Sequence, residues 1–246
     1  MTDRSGFFIV VAGLILAVGI AIAGWRIGQG FVEGREPERI VTVKGVSERE
    51  VKADLALWRL RFVSTGDDLI GVQAKVVSDE ARVRAFLVGN GLPKETIELR
   101  GLEVTDLLAQ TYRSGPLTDR FIVAATLMVR TNDVNTVDAA SQRVGDLIAD
   151  GVVLSGQGGG PVPGPAYLFT RLNDIKPAMI EEATENARKG AEQFADHSGS
   201  HVGAIYRANQ GLFQILPRDD VDGAREQDQM AKTVRVVSTI DYSLAD

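Results

Sequence analysis

One stretch limits the fold of this chain more than any other: residues 173–199, NDIKPAMIEEATENARKGAEQFADHSG. Apolar and small residues recur at Met179, Ala183, Ala187, Ala191 and Phe194, a spacing that lays one stripe along a helix. Asn173 is placed to cap its start and Gly199 to supply the left-handed residue that ends it. Pro177 falls in the first turn, where the amide it lacks would have no helical partner. Alanines stand where leucines are more usual. Side chains this small let a helix backbone approach a flat surface closely, and the simplest such surface is a β-sheet.

The rest of the chain supplies the strands. Residues 39–45, RIVTVKG, alternate like a strand, 46–49 read as a turn, and 50–65 as a second, long strand. In the latter Trp58, Leu60 and Phe62 share one face while Arg59 and Arg61 take the other, the period-two mark of a half-buried antiparallel strand. Asp67 or Asp68 caps a helix to about Val88, with Leu69, Val72, Val76, Val83 and Phe86 on one side and Asn90-Gly91 closing it. Strands over 97–108 and 120–131 flank a polar hairpin loop at 110–118. A helix starting near Asn132 or Asp133 is expected to bury Val134, Val137, Ser141, Val144 and Ile148. Residues 156–165 hold five glycines and three prolines, which exclude regular structure. They lack the Lys-Ser/Thr of a phosphate-binding loop, and a connecting loop is the plainer reading than a ligand loop. Tyr167 to Arg171 form a short strand leading into the long helix. Residues 202–208 and 211–216 read as extended, 218–228 as an acidic, exposed, mobile loop, and 230–242 as a closing strand. Strands in hairpins mixed with helices predict an α+β body, mainly antiparallel, with helices packed on the sheets.

Ahead of this body, residues 7–25 carry no charge and no strongly polar group. As a helix they would span about 28 Å, close to the hydrocarbon thickness of a bilayer, and their eleven Phe, Ile, Val and Leu residues favour insertion. The expected organisation is a short tail over 1–6, a transmembrane signal anchor over 7–25, a linker over 26–38 and the α+β domain over 39–246. Cleavage at the Ala21-Ile22-Ala23 site before Gly24 is the competing reading. Against it, the apolar run is longer than a signal peptide's and only Arg4 is basic before it. Gly13, Ala17, Ala21 and Gly24 lie on one face and are the candidates for membrane-helix contact. Arg26, Arg35 and Arg39 follow the segment, so charge alone would keep the body in the cytoplasm, but that rule weakens for a long domain.

Composition removes several function classes. The chain has 246 residues, a formal net charge of −6 and no cysteine. Net acidity without a basic stripe argues against a nucleic-acid partner. Lack of cysteine removes disulfides, thiolate catalysis and thiolate-bound metals. His197 and His201 are four apart, but Gly199 is expected to end the helix between them and no glutamate follows His197, so a shared metal is not assigned. No G-x-S-x-G surrounds a serine. Glu181, Glu182 and Glu185, with Arg188 and Lys189 nearby, read as a solvated helix face. No catalytic, cofactor-binding or metal-binding residue follows from the sequence.

Several pieces together resemble the SIMPL-domain family of bacterial periplasmic proteins, long classed as a domain of unknown function. The likeness rests on Val41-Thr42-Val43-Lys44-Gly45 followed by Val51-Lys52-Ala53-Asp54-Leu55-Ala56. It also rests on the passage from Tyr167 to Asn173 and on the alanine helix leading into Gly199-Ser200-His201-Val202-Gly203. It covers about residues 39–244. The resemblance implies export, assembly with further copies and, as for some members, a part in oxidative-stress defence; it brings no catalytic residues. With it, the expectation is a single-pass inner-membrane protein with its domain in the periplasm. That protein would act as a self-associating ring or scaffold module, not an enzyme, alongside a membrane and an envelope protein partner. The alternative is a small-ligand binder or enzyme using the 156–165 loop.

Overall fold

The alternation around Trp58 builds the first sheet. In the computed structural model, which describes the backbone of residues 3–33, 39–109 and 118–245, Trp58, Leu60 and Phe62 are buried on strand β2 (Leu55–Gly66). A partner strand (Phe121–Thr131, β4 in chain order) runs antiparallel to it and sets Val129 opposite Trp58, Leu127 opposite Leu60 and Ala125 opposite Phe62. The buried side chains of both strands therefore share one face. With β3 (Ile97–Asp106) and β5 (Ala166–Leu168) the order is β3-β4-β2-β5. Helices α2 (Leu69–Gly89), α3 (Val134–Gln142) and α4 (Gly145–Ala149) contribute Val72, Val76, Val83, Leu87, Val137 and Leu147 to the same cluster. Each such side chain removed from water contributes about 1.5–3 kcal/mol.

Local chemistry places these helices. Asp68 accepts a hydrogen bond from the Gly71 amide at 2.8 Å and caps α2. Past its end Gly91 has φ +88°, a left-handed conformation that glycine adopts without strain. Asp133 caps α3 through the Thr136 amide. The single helix expected from there is two, broken at Arg143-Val144. That break resets the helical phase, so Leu147 is buried and Ile148, expected inside, is 60% exposed. Among the valines of α2 the buried line also takes in a carboxylate, Asp79, to which the Ser64 hydroxyl donates at 2.9 Å and with which Arg82 pairs at 3.1 Å.

The second sheet has the order β1-β8-β6, from β1 (Ile40–Lys52), β8 (Ala231–Ala245) and β6 (His201–Gln210), and β7 (Gln214–Pro217) also pairs with β8. On β8 the buried Val234, Val236, Ser238 and Ile240 alternate as expected. The turn expected at 46–49 is part of β1, and the chain turns instead at Ala53-Asp54. Polarity misled here: Ser47 and Arg49 remain in the strand because both reach Glu182, at 2.8 and 3.3 Å. Asp54 is the turn residue, accepting from the amide and hydroxyl of Thr170.

Helix α5 (Leu172–Ser198) is the long helix of the sequence reading. It starts at Leu172, so Asn173 lies inside it and Pro177 beyond its first turn. Gly199, with φ +69°, ends it as expected. Met179, Ala183, Ala187 and Ala191 are fully buried, but Ala195 continues the line and Phe194 is 63% exposed. The buried row follows i, i+4 steps, which wind around the helix axis as a row laid on a twisted sheet does.

The chain divides into two compact units. The larger, Lys44–Ala187 with Asn209–Thr239, holds the cluster around Trp58 and a second in which Met179 and Ala183 pack on Val234 and Val236. Its 218–228 segment, expected to be mobile, is anchored by the buried Lys232. That ammonium meets the Glu226 carboxylate at 2.5 Å and donates to the Glu226 carbonyl at 2.6 Å. The smaller unit is Met1–Val43, Arg188–Ala208 and Ile240–Asp246. Within it the Leu244 amide donates to the Arg39 carbonyl at 2.8 Å, and the Thr42 hydroxyl to Asp241 at 2.7 Å.

Helix α1 (Asp3–Glu33) continues past Trp25 into the stretch read as a linker. Among the described residues no helix is long and apolar enough to cross a membrane. The transmembrane helix expected over 7–25 therefore has no support among the described residues, and the side chains of residues 7–12 and of Ile15 lie outside them. From Leu14 to Ile27 the described large apolar side chains are exposed. The hairpin loop expected at 110–118 lies, but for Thr118, outside the described residues.

Candidate functional site

A sheet covered by helices on one side leaves its other side to solvent. On the outer face of β2 the alternation presents Arg59 and Arg61, and the register sets Met128 beside Arg59 and Thr126 beside Arg61. Across β4 the same row continues to Glu98 and Gly101 of β3. A register irregularity between Leu99 and Gly101 brings Arg100 into the lining of the same groove. Beyond β2 the segment after α4 runs alongside, its Val153 carbonyl accepting from the Val63 amide and its Ser155 amide donating to the Arg61 carbonyl, both at 2.9 Å. The chain then folds back, the Gly156 amide donating to the Gly160 carbonyl at 3.0 Å. A Cβ at Gly156 would lie 2.1 Å from the Pro161 carbonyl oxygen, so this turn needs glycine there.

These pieces enclose a groove of about 410 Å³. Arg61 is its best-held cation, donating to the Gly156 carbonyl at 3.4 Å and pairing with Glu103 at 3.3 Å. Arg100 pairs with Glu98 at 2.7 Å. Arg59 has no ion-pair partner among the described residues. The sequence showed Arg59 and Arg61 facing outward and showed the glycine-proline loop, but only the register of β3 adds Arg100 and Glu103 to them.

A second, wider groove of about 640 Å³ includes Tyr167, Asp138, Lys52, Arg218, Asp219 and Asp228 in its lining. Tyr167 donates to Asp138 at 2.9 Å, and burial, with that carboxylate beside it, pushes its phenol well above the usual range. Arg218 holds Asp219 below the ordinary carboxylate range. Arg218 pairs with Asp219 and Asp228 with Arg225, while Lys52 donates to the neutral Asn135 at 2.6 Å and Glu50 and Asp138 also line the groove, so charges of both signs are mixed along it.

The sequence candidates fall elsewhere. Gly13, Ala17, Ala21 and Gly24 are exposed on α1, and nothing lies within 4 Å of a Cβ placed at either glycine. His197 lies in the last turn of α5, where Nδ1 donates to the Gln193 carbonyl at 2.7 Å, and His201 opens β6 beyond the Gly199 break. Among the described residues no group of three or more His, Cys, Asp or Glu is placed to hold a metal ion. Glu182, expected on a solvated face, is instead tied to Ser47 and Arg49, while Arg188 pairs along the helix with Glu192.

Comparison with known families gives a match over residues 41–242 to SIMPL, described as a protein of unknown function (DUF541). The chain belongs to the SIMPL family. No curated protein matches it. The motif that carried the resemblance has a packing cause. Gly45, closing Val41-Thr42-Val43-Lys44-Gly45, faces α5 so closely that a Cβ there would lie 1.8 Å from the Ala183 carbonyl oxygen. In this SIMPL domain Gly45 of β1 and the Ala183 and Ala187 pair of α5 are two halves of one contact.

Proposed function

We propose that this SIMPL protein is a membrane-tethered, self-associating structural module and not an enzyme. Its body stands on the periplasmic side of the inner membrane, and its setting is the envelope and its defence against oxidative stress. One observation supports self-association above the others: β3 is an edge strand, and Leu99, Leu102 and Val104 along it are 47%, 55% and 53% exposed. Exposed apolar edges invite strand pairing and are normally blunted. A second copy paired along β3 would cover all three and add a ladder of backbone hydrogen bonds. Tethering is supported by the charge-free run 7–25 and by the exposed apolar side chains along α1.

Light scattering on the full chain, extracted from membranes in mild detergent, tests the reading. The wild type should have the mass of several copies, and Leu102→Lys should shift it toward the monomer, because a charge buried in a paired edge is costly. A monomeric wild type would overturn self-association. Mass spectrometry of the same sample should find the amino terminus upstream of Gly24.

A further inference from the structure

We propose that the groove over β2, β4 and β3 is a binding site for a small organic oxyanion, a carboxylate or phosphate carried on an apolar body. The inference does not depend on self-association; it gives the 156–165 loop a role as one wall of a site. The chain is acidic overall, at −6, yet three arginines line this one groove and no acidic residue on β2 or β4 does. Among the described residues Glu103 is the one carboxylate in the lining, at the edge strand and 73% exposed, where an ion pair with Arg61 is worth little and yields readily to a better-placed anion. Glu98 beside the groove holds Arg100 and leaves Arg59 and Arg61 to bind.

The guanidinium groups fit the chemistry. Each presents a planar fork of donors that matches the two oxygens of a carboxylate or phosphate. Arg61 is pre-positioned by the Gly156 carbonyl, so little side-chain freedom is lost when it binds. Arg59 is the uncommitted donor. Thr126 adds a hydroxyl on the floor, and Met128 and Pro163 give an apolar surface on which a ring can rest. A volume of about 410 Å³ suits a small ligand, not a polymer.

The test is calorimetric titration of the full chain, held in neutral phosphatidylcholine nanodiscs at low ionic strength, with phenyl phosphate and with benzoate. At least one should bind saturably. Arg59→Ala should weaken that binding about tenfold, the loss expected for one charge-assisted hydrogen bond. Glu103→Gln should tighten it several-fold by removing the internal competitor, an effect opposite in sign to that of a merely structural lesion. Arg143→Ala, an exposed arginine on the segment between α3 and α4, should change nothing. Phosphatidylglycerol added to the disc lipid separates the sources: competition assigns the oxyanion to a lipid headgroup, and its absence assigns it to a soluble molecule. The site is overturned if neither probe binds, or if Arg59→Ala and Glu103→Gln leave the affinity where it was.

Discussion

Gly45 carries no side chain because a backbone stands where its Cβ would be. Along with the 1.8 Å approach to the Ala183 oxygen, that Cβ would meet the Ala187 amide nitrogen at 2.5 Å and its Cβ at 2.9 Å. None of these is the free end of a flexible side chain, so strand and helix must separate to admit a methyl group. Gly45→Ala should therefore cost about 3 kcal/mol or more, as overpacking against a rigid backbone does; urea unfolding followed by far-UV circular dichroism measures it. The helix half of this contact was legible in the sequence, since a line of alanines has few other uses than close approach. The glycine half was not, because a glycine after Lys44 reads equally well as the start of a turn. Asp79 shows the converse difficulty. Its phase lies on the buried line, three residues from Val76 and four from Val83, but a carboxylate there is acceptable only because Ser64 and Arg82 meet it, and those partners are known only once α2 is laid on β2.

At the scale of elements, caps and alternation were reliable guides because each is settled within a few residues. Asp68 and Asp133 cap the helices expected of them, and β2 and β8 bury the residues their alternation names. Boundaries decided by distant partners were not legible: Ser47 and Arg49 stay in β1 through Glu182, more than a hundred residues away in sequence. The arginine groove divides the same way, two of its cations being visible in one strand and the rest waiting on strand register. Asp133 offers a test of the local rule. Hydrogen bonds from the Thr136 side chain and amide hold its carboxyl below the usual range. A carboxyl whose folded value is depressed stabilises the fold above its unfolded value, near 3.9, and loses that contribution as pH falls through the folded value. Asp133→Ala should cost about 1 kcal/mol at neutral pH, the usual value of a helix cap. Asp133→Ser should retain most of the stability while removing this carboxyl's share of the loss in acid. Thermal unfolding of the three proteins between neutral pH and pH 3 separates the two effects.

At the scale of the whole molecule, the proposed tether is tested by where the body lies relative to a membrane. The proposed tether rests on the charge-free run 7–25, whose nineteen residues would match a bilayer's hydrocarbon thickness as a helix, and α1 carries helical structure beyond it to Glu33. The arginines that follow would by themselves hold the body inside the cell, whereas a body of this length is moved across largely regardless of such charges. Absence of cysteine makes the question directly measurable, because one introduced thiol is the only one to react. Glu181→Cys places it on an exposed position of α5, where the thiol is free to ionise and attack a maleimide. With the body in the periplasm, a maleimide that cannot cross the inner membrane should label intact spheroplasts as fully as lysed ones, and the labelled chain should stay in the carbonate-washed membrane pellet. Labelling that appears only after lysis would put the body in the cytosol. Labelled chain released by carbonate would show that α1 does not hold it, and the tether would have to be abandoned even if the copies still assemble.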